Sequence, residues 1–289
     1  MRVAGQGRRW RVTIAAVAVT AVIAIVSGCP TGLGDHTGTD PETNPVTYTV
    51  SYDANGANSG TVPEAQTKAP GENLTVAGNS GNLERIGYAF DGWNTTDDGT
   101  GGDYAEGATY TTDADLTLYA NWTPLQVGDL GPAGGLVFYD KGEYIDGWRY
   151  LEAAPVETEW TSKPWGGRGN AVGAAAQGQA IGTGAGNTLS IVLEYGDAEP
   201  DDGRDDYAAN LSAGLGHGGY DDWFLPSLKE LNVMHDNLHL QGMGGFASVR
   251  YWSSSEGTAN GAWGQDFSDG LDVYFDKNLD FNVRAVRAF

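Results

Sequence analysis

The sequence predicts a β-rich α+β protein, and three observations carry that prediction. Glycine is abundant, with 44 residues in a chain of 289, and 14 tyrosines and 9 tryptophans accompany it. Such a composition suits short strands joined by tight turns and covered by aromatic side chains, not helical bundles. Apolar and polar residues alternate over short stretches, as at Val46, Tyr48, Val50 and Tyr52, which places one set on a buried sheet face. Helical periodicity is confined to a few segments, most clearly Leu228, Leu231, Met234 and Leu238.

Residues 1–28 read as an export signal. Arg2, Arg8, Arg9 and Arg11 surround the start of an apolar run at 12–26 that is short for a membrane span. The run ends in VSGC at 26–29, which resembles the bacterial lipobox. That resemblance implies cleavage before Cys29 and acylation of its thiol, an anchor to the membrane through buried methylenes. A plain signal peptide or an anchor helix is the alternative. Cys29 is the chain's single cysteine, so its lipidation leaves no thiol for a disulfide, a metal site or nucleophilic catalysis. Pro30 stands where an aspartate would signal inner-membrane retention in enteric bacteria, and an outer membrane, if one is present, is the expected address. Residues 29–45, with Gly32, Gly34, Gly38, Pro41 and Pro45 among Thr and Asp, form a flexible tether.

The net charge is −22, and removal of residues 1–28 with their four arginines leaves 12 basic against 38 acidic residues. Such a field repels nucleic acid and anionic surfaces, because phosphate binding needs clustered Lys or Arg. No nucleic-acid partner is expected.

Residues 46–124 form a compact module. An alternating strand from Val46 leads to the turn signal Asn55-Gly56, and GYAFDGW at 87–93 and LTLYANW at 116–122 read as later strands. Together with YTVSYDANG at 48–56, these runs resemble the Listeria/Bacteroides repeat family. The resemblance implies a small β-grasp unit of the kind found on bacterial surface proteins, where it acts as a spacer or contact module. Trp93 and Trp122 are expected in its core, since so small a unit needs its large aromatics inside.

Residues 131–289 form the last domain. Strands are expected at 134–139 and 147–155, then a loop carrying Trp160 and Trp165, and short helices at 188–193 and 207–215. Asp221 to Pro226 reads as a strand running into a helix. Ser227 is an N-cap with Glu230 three residues on, and Gly242 offers a left-handed stop. Turn signals at Asp269-Gly270 and 276–280 make 251–287 an antiparallel meander. WFLPS at 223–227, LKEL at 228–231, YWSSSE at 251–256 and VRAVR at 283–287, in that order, resemble the C-terminal domain family of the Legionella collagen-like protein. This implies a C-type-lectin-like fold, with two helices flanking a looped mixed sheet and the chain ends close together. It also implies a surface binding domain, with sulfated glycans as one type of partner.

Candidate chemistry is sparse. His235 and His239 have the spacing of two helical metal ligands, but His235 falls on the apolar stripe, and packing is the better reading. Asp197 to Asp206 holds six carboxylates in ten residues without the EF-hand pattern. It reads as a solvated loop, with Ca2+ as the one cofactor alternative. The calcium-dependent sugar motifs of C-type lectins do not occur, and residues 126–289 hold 10 basic against 24 acidic side chains. Polyanions are disfavoured unless Arg250, Arg284 and Arg287 form a patch. Ser253, Ser254 and Ser255 lack a nucleophile elbow, and no phosphate loop precedes a helix. No catalytic residue or enzyme activity is expected.

Neutral glycan or protein recognition fits better, through Trp252, Trp263, Asp272, Tyr274, Asp276 and Asn282. Aromatic faces stack on sugar rings, and carboxylates and amides bond their hydroxyls. With Leu271, Val273 and Phe275 inward, Asp272, Tyr274 and Asp276 point outward. The expected function is therefore a lipid-anchored, non-enzymatic bacterial surface protein of the adhesion type. A structural, self-associating envelope component is the alternative, and a hydrolase is a remote one.

Overall fold

Alternation along β1 (Tyr48–Asp53) buries Val50 and Tyr52, and this strand begins the region that the computed structural model describes, residues 45–289. The export signal, Cys29 and the tether up to residue 44 lie outside the described residues. β1 pairs antiparallel with β2 (Gln66–Lys68) and parallel with β7 (Leu116–Pro124). β7 in turn pairs with β4 (Tyr88–Asn94), and β4 with β5 (Asp103–Tyr104), giving the order β2-β1-β7-β4-β5. A ribbon of β3 (Leu74–Thr75) and β6 (Thr109–Tyr110) closes the other side. Trp93 is fully buried among Val50, Tyr52, Leu118 and Ala120, and its indole N–H donates to the Ala77 carbonyl at 2.9 Å. A buried indole needs such a partner. Trp122 is only half-buried, at the edge of this core.

The remaining strands form two sheets. β8 (Leu136–Ile145) and β9 (Trp148–Ala153) make a hairpin whose tip, Asp146 and Gly147, has positive φ. β15 (Val286–Ala288) adds to β9, so the end of the chain lies beside the start of this part, with the Phe289 carbonyl accepting from Arg149 and Tyr150. Ala89 of β4 packs on Leu125, Val137, Tyr150 and Phe289, a small shared core linking the two parts.

The second sheet has the order β10-β14-β11-β12-β13, from β10 (Trp160–Pro164), β11 (Arg250–Glu256), β12 (Gly261–Asp266), β13 (Leu271–Asp276) and β14 (Asp280–Val283). Helices α1 (Gly184–Tyr195), α2 (Ala208–Ala213) and α3 (Leu228–Asn237) pack on it. The class is β-rich α+β, as the sequence predicts.

The capped helix forms as expected. Ser227 Oγ accepts from the Glu230 amide, while the Glu230 carboxylate accepts from the Ser227 amide at 2.7 Å. Leu228, Leu231, Met234 and Leu238 are buried, and Gly242 has φ +69°.

Three expectations are corrected. The segment before α3 is no strand: Phe224 makes a lone bridge to Val286, and the Leu225 amide donates to Thr188 Oγ instead of to a ladder. Trp160 belongs to β10 rather than to a loop, because its pairing partner β14 arrives 120 residues later; the ladder shifts around Ser162, whose φ is +55°. The run 251–287 is not a simple meander. β14 leaves β13 and inserts between β10 and β11, parallel to β11, because Lys277 in the connection is drawn fully inside. Its ammonium donates to Glu256 at 2.6 Å, the Asn170 carbonyl at 2.9 Å and Tyr195 Oη at 3.1 Å.

Candidate functional site

β13 ends the sheet, so one of its sides has no partner strand, and its residues are the least covered of the sheet. Asp272, Tyr274 and Asp276 are exposed along it, as alternation predicts, but Leu271, expected inward, is a correction: at the start of the edge strand it is exposed as well, and Val273 and Phe275 are only half-buried. Trp263 of β12 stands directly opposite Tyr274, ring centroids 5.2 Å apart. Gly257 and Gly261 make room for the tyrosine: a Cβ on either would lie within 2.2 and 2.5 Å of its ring. The Tyr274 hydroxyl bonds Thr258 Oγ at 2.7 Å, and 42% of the residue remains exposed. Asp272 accepts from Asn232 Nδ2 of α3 at 2.6 Å, with Lys229 Nζ 3.5 Å away. Asp276 lies 3.5 Å from Arg168. These exposed pairs add little stability. The face presents a fixed aromatic ring with a hydroxyl, a carboxylate and an amide beside it.

The other two candidates lie elsewhere. Trp252 is a correction: it is fully buried, stacked on Phe281 at 4.1 Å, and its indole donates to the Lys163 carbonyl. β11 is central and covered on both faces, so neither side of its alternation reaches solvent. Asn282 donates to Glu159 at 2.8 Å, as do Tyr251 and Arg284, in a polar knot under β14. Burial and the Glu159 charge push the Tyr251 hydroxyl up to about 12.

Asn282 also lines a groove of about 410 Å3 with Ser162, Ser248, Arg250, Asp266 and Asp280. Arg250 lies over the Phe275 ring at 4.6 Å and bonds Asp266 at 3.0 Å. Sequence reasoning missed this groove, because its walls come from strands far apart in the chain. The positive φ of Ser162 has no signal in the sequence.

The remaining candidates are structural. Arg284 and Arg287 form no surface patch: both are buried, Arg284 against Glu159 and Arg287 against Glu152 and Asp222. Burial pushes the Glu152 carboxyl up, against the pull of Arg287. Ser253, Ser254 and Ser255 are fully buried. Ser253 Oγ donates to the Trp263 carbonyl, Ser255 Oγ to that of Gly178, and Ser254 Oγ accepts from Asn187. His235 is buried with its ring 5.0 Å from Phe267 and 5.4 Å from His239.

In the acidic loop, the buried Glu199 accepts from the amides of Gly167, Asp201 and Asp202. Arg204 and Lys163 bond Asp206, holding its carboxyl well below the usual range. Among the described residues, no three His, Cys, Asp or Glu side chains gather into a metal-ligating cluster.

Comparison with known proteins reaches the first sheet. Residues 48–121 match the model of the Listeria-Bacteroides repeat domain. The resemblance read from the three runs at 48–56, 87–93 and 116–122 is thus met over nearly the expected span. Two curated relatives come from Evansella cellulosilytica. One, named as a membrane protein, is 45% identical over 76 residues, covering 26% of this chain and 11% of its own length. The other, named as a Gly-rich membrane protein, is 37% identical over 86 residues, covering 26% of this chain and 9% of its own length. The chain spans about a tenth of the length of these relatives. Among solved structures, a fimbrial protein from Bacteroides ovatus aligns with a TM-score of 0.42 at 13% identity, over 84% of this chain and 69% of that one.

Proposed function

We propose that this chain is a lipid-anchored, non-enzymatic protein of the bacterial cell surface that binds an extracellular ligand, with a glycan favoured over a protein. In this reading Cys29 holds the membrane, residues 46–124 are a β-grasp spacer, and residues 131–289 are a lectin-like binding domain. Support for the address comes from the repeat-domain match and from relatives named as membrane proteins. The observation that carries the binding reading is the Tyr274 ring, fixed by Trp263 and two glycines yet open to solvent, with Asp272 on the same face. Aromatic rings held this way lose little entropy when a ligand stacks on them.

A glycan array probed with the full-length protein, beside pull-downs from extracellular matrix, tests the binding. Absence of a ligand in both rejects it. The anchor predicts that Cys29→Ser moves the protein out of the membrane fraction; an unchanged distribution counts against it. Self-association is the second reading, favoured by the unpartnered edge of β13, where Leu271 is 63% exposed. Concentration-dependent oligomers without glycan binding would support it.

A further inference from the structure

A second candidate site lies where the two parts of the described chain meet. A cleft of about 440 Å3 opens there, walled by Phe90 and Trp122 from the first sheet, by Tyr88, and by Tyr220 from the second part. Its size and its position between two folded units are those of ligand sites. The aromatic wall is organised: Phe90 meets Trp122 edge-on at 5.7 Å, and the Arg85 guanidinium lies over the Tyr88 ring at 4.3 Å.

A smaller cavity of about 80 Å3 shares Ile86, Gly87 and Tyr88 with the cleft and has Tyr150 in its wall. Tyr150 is 1% exposed, and among the described residues its hydroxyl has no hydrogen-bond partner. A buried hydroxyl without a partner is costly in a native protein, and such groups mark places where something else supplies the bond. The edge of its ring reaches the shared segment: a Cβ on Gly87, whose φ is +81°, would lie 3.1 Å from Tyr150 Cε2. Any side chain at Gly87 would crowd that edge.

The geometry points to a neutral saccharide as the occupant. One carboxylate, Glu84, and one guanidinium, Arg85, balance each other in the lining, in a chain that is strongly acidic overall. An anionic sugar would find no net attraction there. An extended peptide would pair through backbone groups, and several of those in the rim are already engaged. Asn58 and Ser59 already pair with Glu84, the Ile86 amide donates to Asn58 Oδ1, and the Leu125 amide to Gly87. Recognition therefore falls to side chains. Aromatic faces suit the C–H side of a sugar ring, Glu84 and Arg85 suit its hydroxyls, and a hydroxyl entering the smaller cavity would meet Tyr150.

This site extends the glycan reading but is separate from the β13 face, and the test separates the two. The full-length protein is titrated with maltohexaose, cellohexaose and chitohexaose, and in parallel with heparin oligosaccharides and polygalacturonate, with tryptophan fluorescence and saturation-transfer NMR as readouts. One neutral oligosaccharide should bind. Tyr150→Phe should weaken it about fivefold, the scale of one net hydrogen bond, while leaving the melting temperature unchanged or higher because an unpartnered hydroxyl is removed. Tyr220→Ala should weaken it too, and Tyr274→Ala should leave it unchanged. The proposal is overturned if no neutral oligosaccharide binds, if the anionic ones bind instead, or if binding survives both Tyr150→Phe and Tyr220→Ala. Binding abolished by Tyr274→Ala alone would keep the β13 reading and reject the cleft.

Discussion

Lys277→Met tests the packing that sends β14 across the sheet. The Lys277 ammonium is fully buried, 4.4 Å from the Trp165 ring, with Glu256, Asn170 and Tyr195 as partners. Burial pulls its amine below its ordinary value, and the Glu256 carboxylate opposes that pull. Methionine fills a similar volume but leaves the Glu256 charge without its cation. Removing one partner of a buried pair costs about 3–5 kcal/mol. Glu256 keeps two amide donors, from Val172 at 2.9 Å and Gly173 at 2.6 Å, so the low end, about 3 kcal/mol, is expected. Adding Glu256→Gln removes the stranded charge but turns an amide NH2 toward one of the two backbone N–H donors, so the double variant should recover only part of the loss, about 1 kcal/mol. Urea unfolding of the full-length protein followed by tryptophan fluorescence measures both, with m-values compared to confirm a common transition. A single variant costing under about 1 kcal/mol, or a double variant worse than the single, would refute the reasoning.

The helix start makes its own forecast: Ser227→Ala should cost about 1 kcal/mol in thermal melts. Glu230→Ala should cost more, about 2–3 kcal/mol, because its buried carboxylate also accepts from Gly182 at 2.7 Å. Equal costs would mean that the loop before α1 is not held by Glu230. At high pH, burial pushes the Tyr207 and Tyr251 hydroxyls up to about 12, whereas an unfolded tyrosine ionises near about 10. Their contribution to stability is complete below pH about 10 and is lost as pH climbs through about 12. Absorbance at 295 nm should show these two ionising together with loss of circular dichroism; ionisation near pH 10 in an intact fold contradicts this.

How much of the molecule was legible depended on distance along the chain. The capping box and the apolar stripe of α3 were legible, because each signal sits within a few residues. Tyr274 and Asp272 were legible because alternation separates the more and less covered sides over residues 272–276 of the edge strand β13, though it fails at the exposed Leu271. Trp252 was not, because β11 has partners on both sides and cover on both faces. The course of β14 was hidden for another reason: it depends on Lys277 meeting Glu256, Asn170 and Tyr195, whose proximity only the folded chain creates. Arg284 and Arg287 likewise lie in the specific VRAVR run at 283–287, yet nothing local says that Glu159, Glu152 and Asp222 neutralise them. The cleft and the small cavity beside it at Tyr150 could not be read at all, since Phe90 and Trp122 of one wall and Tyr220 of the other are far apart in the chain.

The central claim is that this protein binds an extracellular ligand through the β13 face, and the affinity ratio between wild type and Tyr274→Ala tests it most directly. For a glycan-array ligand whose binding Tyr220→Ala leaves unchanged, the variant should bind about tenfold more weakly, the scale of a lost aromatic anchor, with its fold intact by circular dichroism. Equal affinity in the two proteins, for every ligand that wild type binds, would contradict it.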